Sequence, residues 1–459
     1  MSNSRQKLNI VILAAGKGTR MHSQKPKVLH KLAGSPLLSH VIRCAEQLAP
    51  QKIIVVYGFG GETVPQAFTN KEITWVQQAD QLGTGHAMQQ TIPHLDVDAV
   101  TLILLGDVPL VNPEACEKLL EQAQGALHLM SVKKSDPSGY GRIVRDENGG
   151  VLAIVEHKDA TKVQRTIDEV NTGIMAVPNA LLISWLQQLS NDNAQREYYL
   201  TDIVSMAVRD GVPVCAEVTD DEWDVTGVNS KQDLATLERI YQRRQAERLL
   251  AQGVSLADPA RIDVRGELMA GRDVEIDVGC IFEGKVTLAD TVKVGAYCVL
   301  KDVSVGSGTV IAPFSHLEQA EVAADCRIGP YARLRPGTTL QQEVHIGNFV
   351  ELKNSQVAEG SKINHLSYVG DTDVGKQVNI GAGTITCNYD GTNKYRTVIG
   401  DQAFIGSNSQ LVAPVKVGEG ATIGAGSTIT RDAPANQLTV ARGRQVSIAG
   451  WKRPQKKSP

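Results

Sequence analysis

A period of six governs the second half of this chain. Every sixth residue from Ile276 is large and apolar (Ile276, Phe282, Leu288, Val294, Leu300), and the same holds from Ile328 (Leu334, Leu340, Ile346, Leu352) and from Ile399 (Ile405, Leu411, Val417, Ile423, Ile429). The residue four further on is small or β-branched: Cys280, Val286, Val292 and Cys298 in the first run, Ala403, Ser409, Val415, Ala421 and Ser427 in the last. Gly follows the aliphatic residue at 295, 329, 347, 400, 406, 418 and 424. Such a pattern predicts a prism whose flat faces are short parallel strands. One large side chain per strand points inward, a small one fills the corner, and Gly takes the bend. Three strands make a coil, so residues 18 apart stack. Cys280 and Cys298 meet that spacing and read as packed neighbours rather than a redox or metal pair. The stretch TITCNYDGTNKYRT (384–397) breaks the period and is expected to leave the prism as a loop, where function tends to gather.

The first half has a different rhythm. Buried strands are predicted over 8–13, 52–56, 101–105 and 127–132, separated by helices such as 37–48 and 113–124, which gives a mostly parallel sheet in an α/β domain. The first strand runs directly into LAAGKGTRM (13–21), so a glycine loop lies at a carboxyl strand end, where open sheets bind ligands. It lacks the Gly-Lys-Ser/Thr of a P-loop and the third Gly of a dinucleotide fingerprint, and the second strand ends in Tyr57 and Gly58 rather than a ribose-holding acid. Arg20, Lys25 and Lys27 follow, and the strand 101–105 ends in Gly106 and Asp107. Backbone amides with these cations suit a triphosphate, and the aspartate suits Mg2+.

At 459 residues the chain exceeds one ordinary core. Ser230 with Asp233 makes a helix start of capping-box type, and Leu234, Leu237, Tyr241, Leu249 and Leu250 continue a stripe through a charged run to Gly253. The expected organisation is an α/β domain over 1–229, a helical linker with a solvated charged face over 230–253, and the hexapeptide β-helix over 254–459.

Composition narrows the partners. A net charge of -3 without long runs of one sign leaves no footprint for nucleic acid or an anionic membrane. The short apolar run 9–15, followed at once by Lys17 and Arg20, is neither a secretory signal nor a membrane span. Seven cysteines without a C-x-x-C pair exclude a disulfide framework and a zinc knuckle, and the expected compartment is the cytoplasm. The basic tail (Lys452, Arg453, Lys456, Lys457) reads as solvated, with CoA phosphates as a second option.

The combination of LAAGKGTRM with Lys27, QLGTGHAM (81–88), LGDVPL (105–110), GYGR (139–142), EYYLTD (197–202) and a terminal hexapeptide β-helix resembles one bacterial family along nearly the whole chain. These are the bifunctional N-acetylglucosamine-1-phosphate uridyltransferases and glucosamine-1-phosphate N-acetyltransferases, which supply cell-wall precursors. The resemblance implies a Rossmann-like nucleotidyltransferase domain and a left-handed β-helix. In the first, Leu13, Ala14, Ala15, Gly16, Leu105 and Gly106 would line the nucleotide site, and Lys27 would meet the phosphates. Gln78, Gly83 and Thr84 would read uracil, Gly141, Glu156 and Asn171 the sugar, and Asp107 with Asn229 would hold Mg2+. The chemistry implied is in-line attack of a sugar phosphate on UTP, driven by positioning and charge neutralisation. Leu105 departs from the family, which often has an aromatic residue there.

In the β-helix the resemblance makes His365 the general base that frees the substrate amine, a task imidazole performs near neutral pH. Arg335 and Lys353 would grip the sugar phosphate, with Tyr368 and Asn379 completing the pocket. Ala382, Asn388, Tyr389, Ser407, Ala425 and Arg442 would meet acetyl-CoA, and the β-helix would form a homotrimer. Two rivals stand beside this reading. One is a zinc enzyme using His316, His345 and His365, whose separations of 29 and 20 do not place them in one column of one chain, which leaves a site between subunits. The other is a single-function sugar-1-phosphate nucleotidyltransferase whose β-helix only trimerises.

Overall fold

The computed structural model describes residues 7–68, 72–123 and 125–454. Two compact units follow one another, the first ending at Tyr241 and the second beginning at Gln242.

In the first unit the apolar runs form β1 (Leu8–Ala14), β2 (Lys52–Tyr57), β3 (Thr74–Gln77), β4 (Val100–Leu105), β5 (Leu127–Lys133), β6 (Arg142–Arg145), β7 (Val151–Val155), β8 (Glu169–Pro178) and β9 (Val214–Val218). The main path of the sheet runs β9-β5-β8-β4-β1-β2-β3. β1 pairs in parallel with β2 and β4, and β9 in parallel with β5, whereas β8 is antiparallel to both β4 and β5. Ile10 and Ile12 face one hydrophobic cluster and Val11 the other, as a strand covered on both sides requires. Each predicted strand is present to within a residue or so. Of the two predicted helices, the first is Leu37–Gln47 and the second Pro113–Gln122; Ala123 is not helical, and Gln124, where the second was expected to end, lies outside the described residues.

The second unit is a parallel β-helix of the left-handed hexapeptide class, built on an 11-stranded and a 16-stranded sheet. All the period-six residues are buried, from Ile276 at 2% exposed to Ile429 at 2%. Each inward aliphatic contributes about 1.5–3 kcal/mol. Coil length is less uniform than a strict 18. Arg327 pairs with His345 at 18 residues, but Val299 pairs with His316 and Tyr368 with Ile385 at 17. Around the predicted loop the spacing grows to 25, as in Ile385 with Gln410. The loop starts later than the broken period suggested, because Ile385–Cys387 remains a strand.

The role assigned to glycine needs correction. The left-handed corners are filled mainly by other residues, among them Tyr297, Phe314, Tyr331, Phe349 and Leu366. Of the glycines after the aliphatic positions, Gly329 does take a left-handed φ of 92°, whereas the others are required by the close approach of the next coil. A Cβ on Gly347 would lie 2.0 Å from the Asn364 carbonyl oxygen, and one on Gly418 would lie 2.4 Å from the Ala435 nitrogen.

Helix Lys231–Ala251 begins with the expected capping box: Asp233 N–H donates to Ser230 Oγ and Ser230 N–H to Asp233 Oδ2. Its buried positions are Leu237, Gln242, Ala246 and Leu249, whereas Leu250 is exposed, contrary to the predicted stripe. Gln242 earns burial by exchanging two hydrogen bonds with the Val264 backbone, at 3.0 and 2.7 Å. No helix among the described residues is long and apolar enough to cross a membrane.

Two candidate active sites

The glycine loop is shaped around one lysine. Gly18 has φ of 61°, and a Cβ there would meet the Lys27 Cβ at 2.7 Å, so only glycine lets the loop fold this closely over Lys27. The Lys27 ammonium is thereby delivered to the Asp107 carboxylate at the end of β4, and it lies 3.3 Å from the Asn229 amide oxygen. Asp107 is held by its own backbone, since its carbonyl accepts from Val228 N–H at 2.9 Å.

Two cavities meet here, sharing Leu13, Thr84, Leu105 and Asp107. One of about 470 Å3 is lined by Leu13, Ala14, Ala15, Gly16, Lys27, Gln78, Gly83 and Thr84. The other, of about 480 Å3, is lined by Arg20, Gly141, Glu156, Asn171 and Asn229. Every residue expected at the nucleotide or sugar lines one of them except Gly106, whose N–H is committed to the Leu13 carbonyl at 2.9 Å. Lys25 lines neither, whereas Lys17, not singled out beforehand, lines the first. Leu105 borders both cavities and fits against Gly173, where a Cβ would lie 2.8 Å from its Cδ1.

Several polar groups are fixed in advance. Gln78 is buried and donates to the Gly83 carbonyl at 3.0 Å. Asn171 Oδ1 accepts from Gly173 N–H at 3.1 Å. Thr201 Oγ donates to Glu156 at 3.1 Å. Burial pushes the Glu156 carboxyl above its ordinary range, and Asp202, Asp159 and Glu197 add to this against the Thr201 bond.

On the β-helix the register builds a column. Asn348 pairs with His365, and the pairings Lys362–Asn379, Asn379–Phe404 and Phe404–Thr422 place Ala382, Ser407 and Ala425 successively above His365. Arg442 caps the column by donating to the Ala425 carbonyl at 2.8 Å. An exposed imidazole at the foot of a strip of small side chains leaves room for an extended ligand alongside the prism.

Across the Leu366 corner lie Tyr368, with Arg335 stacked under Lys353 on the same face. Arg335 pairs with Glu351 at 2.8 Å. The next column, Asn354, Asp371 and Asn388, is joined by amide hydrogen bonds to Asp371, that from Asn354 being 2.6 Å. Burial pushes the Asp371 carboxyl up, but these bonds and the nearby Lys353 and Lys394 outweigh it and hold it below the usual range. Lys394 was missed in the sequence. It lies in the loop that breaks the hexads, and its ammonium beside Lys353 depresses the Lys353 pKa, with burial assisting. Two neighbouring ammonium groups with Arg335 close by are an arrangement suited to an anion. Tyr389 is exposed, its hydroxyl donating to the Gly391 carbonyl at 2.5 Å. Asn379 is half-buried on the His365 side of the corner. Of the three histidines in the zinc rival, His316 lies in the 16-stranded sheet, and His345 and His365 in the 11-stranded one.

Fold and site together define a two-centre transferase: a nucleotide-handling α/β unit and a hexapeptide-repeat unit. The MobA-like NTP transferase domain family matches residues 10–256, and the bacterial transferase hexapeptide family (six repeats) matches 396–431. The chain is 68% identical to the bifunctional protein GlmU of Methylobacillus flagellatus, over 98% of each. It is 62% identical to that of Nitrosospira multiformis over 98% of each, and 58% identical to that of Chromobacterium violaceum over 98% of this chain and 99% of the relative. The chain belongs to the GlmU family of bifunctional proteins.

Proposed function

We infer that this chain makes UDP-N-acetylglucosamine in two steps, acetylating glucosamine-1-phosphate with acetyl-CoA and then transferring uridylyl from UTP to the product, with release of pyrophosphate. The observation that carries the reading is the presence of two separate constellations: Lys27, Asp107 and Asn229 where two cavities meet, and His365 with Arg335, Lys353 and Lys394 on the prism. A β-helix serving only for assembly has no use for the second. The uridyltransferase half is assigned to 1–229 and the acetyltransferase half to 254–459, joined by the helical segment 230–253.

In the acetyl step, Arg335, Lys353 and Lys394 hold the sugar phosphate, with Tyr368 and Asn379 around the sugar. His365 accepts a proton from the substrate ammonium as its nitrogen attacks the thioester carbonyl; the C–N bond forms, the C–S bond breaks, and the thiol of CoA departs protonated. Ala382, Ser407 and Ala425 give acetyl-CoA a smooth path, bordered by Asn388, Tyr389 and Arg442.

In the uridylyl step, Gln78, Gly83 and Thr84 recognise the base, and Gly141, Glu156 and Asn171 position the sugar. Lys27 neutralises phosphate charge while a sugar-phosphate oxygen attacks the α-phosphorus and the bond to pyrophosphate breaks. Asp107 and Asn229 suit Mg2+: their oxygens converge on a cationic ammonium, and a carboxylate plus an amide oxygen is a hard donor pair that leaves positions for phosphate and water. Bound Mg2+ would neutralise charge on the triphosphate and the departing pyrophosphate.

The acetyltransferase half assembles as a homotrimer in this reading. Supporting it, Tyr297, Phe314, Tyr331 and Phe349 stack along one prism edge with centroids 5.0–5.4 Å apart, each about half exposed, and Leu366 extends the edge at 63%. The proposed location is the cytoplasm, which suits seven free thiols.

The test is mass spectrometry of products after supplying glucosamine-1-phosphate, acetyl-CoA, UTP and Mg2+. UDP-N-acetylglucosamine is expected. A UDP-sugar formed only from added N-acetylglucosamine-1-phosphate would leave the β-helix structural.

A further inference from the structure

We propose that Asn348 is a positioning residue that fixes the tautomer of His365, a proposal that rests on His365 being the acetyl-transfer base. Asn348 pairs with His365 one coil below it in the same column, and its Oδ1 lies 2.9 Å from His365 Nδ1. With Nδ1–H donated to that oxygen, the lone pair must reside on Nε2, the ring atom free to accept the substrate proton. A base whose second nitrogen is held by an acceptor has both its tautomer and its ring plane set before substrate arrives.

The surroundings support this assignment. The His365 backbone is pinned, its carbonyl accepting from Ser367 Oγ at 2.8 Å and from Gly383 N–H at 3.2 Å, so the remaining freedom is in the ring. The nearby carboxylate on the adjoining face, Glu351, is committed to Arg335 at 2.8 Å. His345 and Lys362, on the coil below and on the same strand, bring no acceptor of fixed charge. A neutral amide orients the imidazole without adding the negative charge of an aspartate, which would favour imidazolium and delay its use as a base.

Aspartate and leucine at 348 separate the possibilities, because a carboxylate can accept from Nδ1–H but cannot donate to it. In Asn348→Leu, kcat for acetyl transfer should fall about 100-fold, within the range a general base contributes, with KM for glucosamine-1-phosphate changed less than about twofold. Asn348→Asp should retain most of kcat, with the acid limb of its pH–rate profile displaced to higher pH. Uridylyl transfer should be unaffected in both, and thermal unfolding followed by circular dichroism should show the β-helix of each variant folded as in the unmodified protein. In the unmodified protein, 15N spectra of His365 should show the proton on Nδ1.

A proton found on Nε2 in the unmodified protein overturns the proposal irrespective of how the variants fold. So does an Asp variant as impaired as the Leu variant, or a Leu variant with unchanged kcat. His365→Ala, measured alongside, isolates the underlying reading: acetyl transfer surviving that substitution removes the base itself, whereas its loss combined with an indifferent Asn348→Leu removes only the positioning role.

Discussion

The Lys27 ammonium sits between the Asp107 carboxylate and the Asn229 amide oxygen, joining residues 80 and 202 positions apart in the chain. Asp107 and Lys27 are only 18% and 13% exposed, so this is a partly desolvated ion pair rather than a surface contact. The lysine fills the place where the two oxygens converge, and under the proposed function a phosphate–metal complex entering the cavity would draw it toward the phosphate.

Asp107→Asn removes one charge from that centre and nothing from the prism. Uridylyl transfer should drop by at least about 100-fold while acetyl transfer persists, and His365→Ala should give the reverse. Separate assays of the two half-reactions check this, and loss of both activities in a folded single variant contradicts two independent centres.

Lys394→Met should relieve the repulsion at Lys353 and weaken the anion receptor. The expected outcome is a roughly tenfold rise in KM for glucosamine-1-phosphate with a smaller change in kcat. An unchanged KM would place Lys394 outside the phosphate site.

His40 predicts an acid-sensitive first unit. It is 8% exposed and uncharged, with Nε2–H donating to the Leu32 carbonyl at 2.9 Å and Nδ1 accepting from Arg43 at 3.2 Å. Burial, aided by the charge of Arg43, pulls its pKa from 6.5 down to about 4. The folded state therefore binds fewer protons than the unfolded state between these values. Stability is full above about 6.5 and falls as pH drops towards 4, by about 3 kcal/mol at most for this group. Urea titrations of the wild type and His40→Gln from pH 7 to 4.5 should converge if His40 carries the effect. Parallel curves would assign it elsewhere.

Gly347→Ala should place a methyl group against the Asn364 carbonyl, 2.0 Å from the ideal Cβ, and so displace the residue just before His365. A cost of about 1–3 kcal/mol is expected, and acetyl transfer should fall more than uridylyl transfer. Thermal unfolding with paired activity assays measures both.

Phe349→Ser combined with Tyr331→Ser removes the centre of the exposed aromatic stack without touching the inward column. Sedimentation velocity should show dissociation into monomers at concentrations where the wild type remains assembled. An unaltered sedimentation profile would remove this edge from the interface.

The sequence by itself determined the prism, because one buried aliphatic every six residues leaves a chain few other ways to cover them, and each of those residues is inside. It likewise determined the parallel strands of the first unit and the place of the glycine loop at the end of β1, since apolar runs and glycines act locally. Gly329 apart, it misread the bend glycines, because a glycine needed for close approach of the next coil looks the same in one dimension as a glycine needed for a left-handed turn. It passed over Gln242, whose burial depends on Val264, and over Lys394, an ordinary loop lysine until the loop returns it to Lys353. The His365 column, the pairing with Asn348, and the meeting of Lys27, Asp107 and Asn229 were decided only by the tertiary structure. Coil lengths of 17, 18 and 25 set which residues stack, and no local preference of a residue encodes the length of the coil below it.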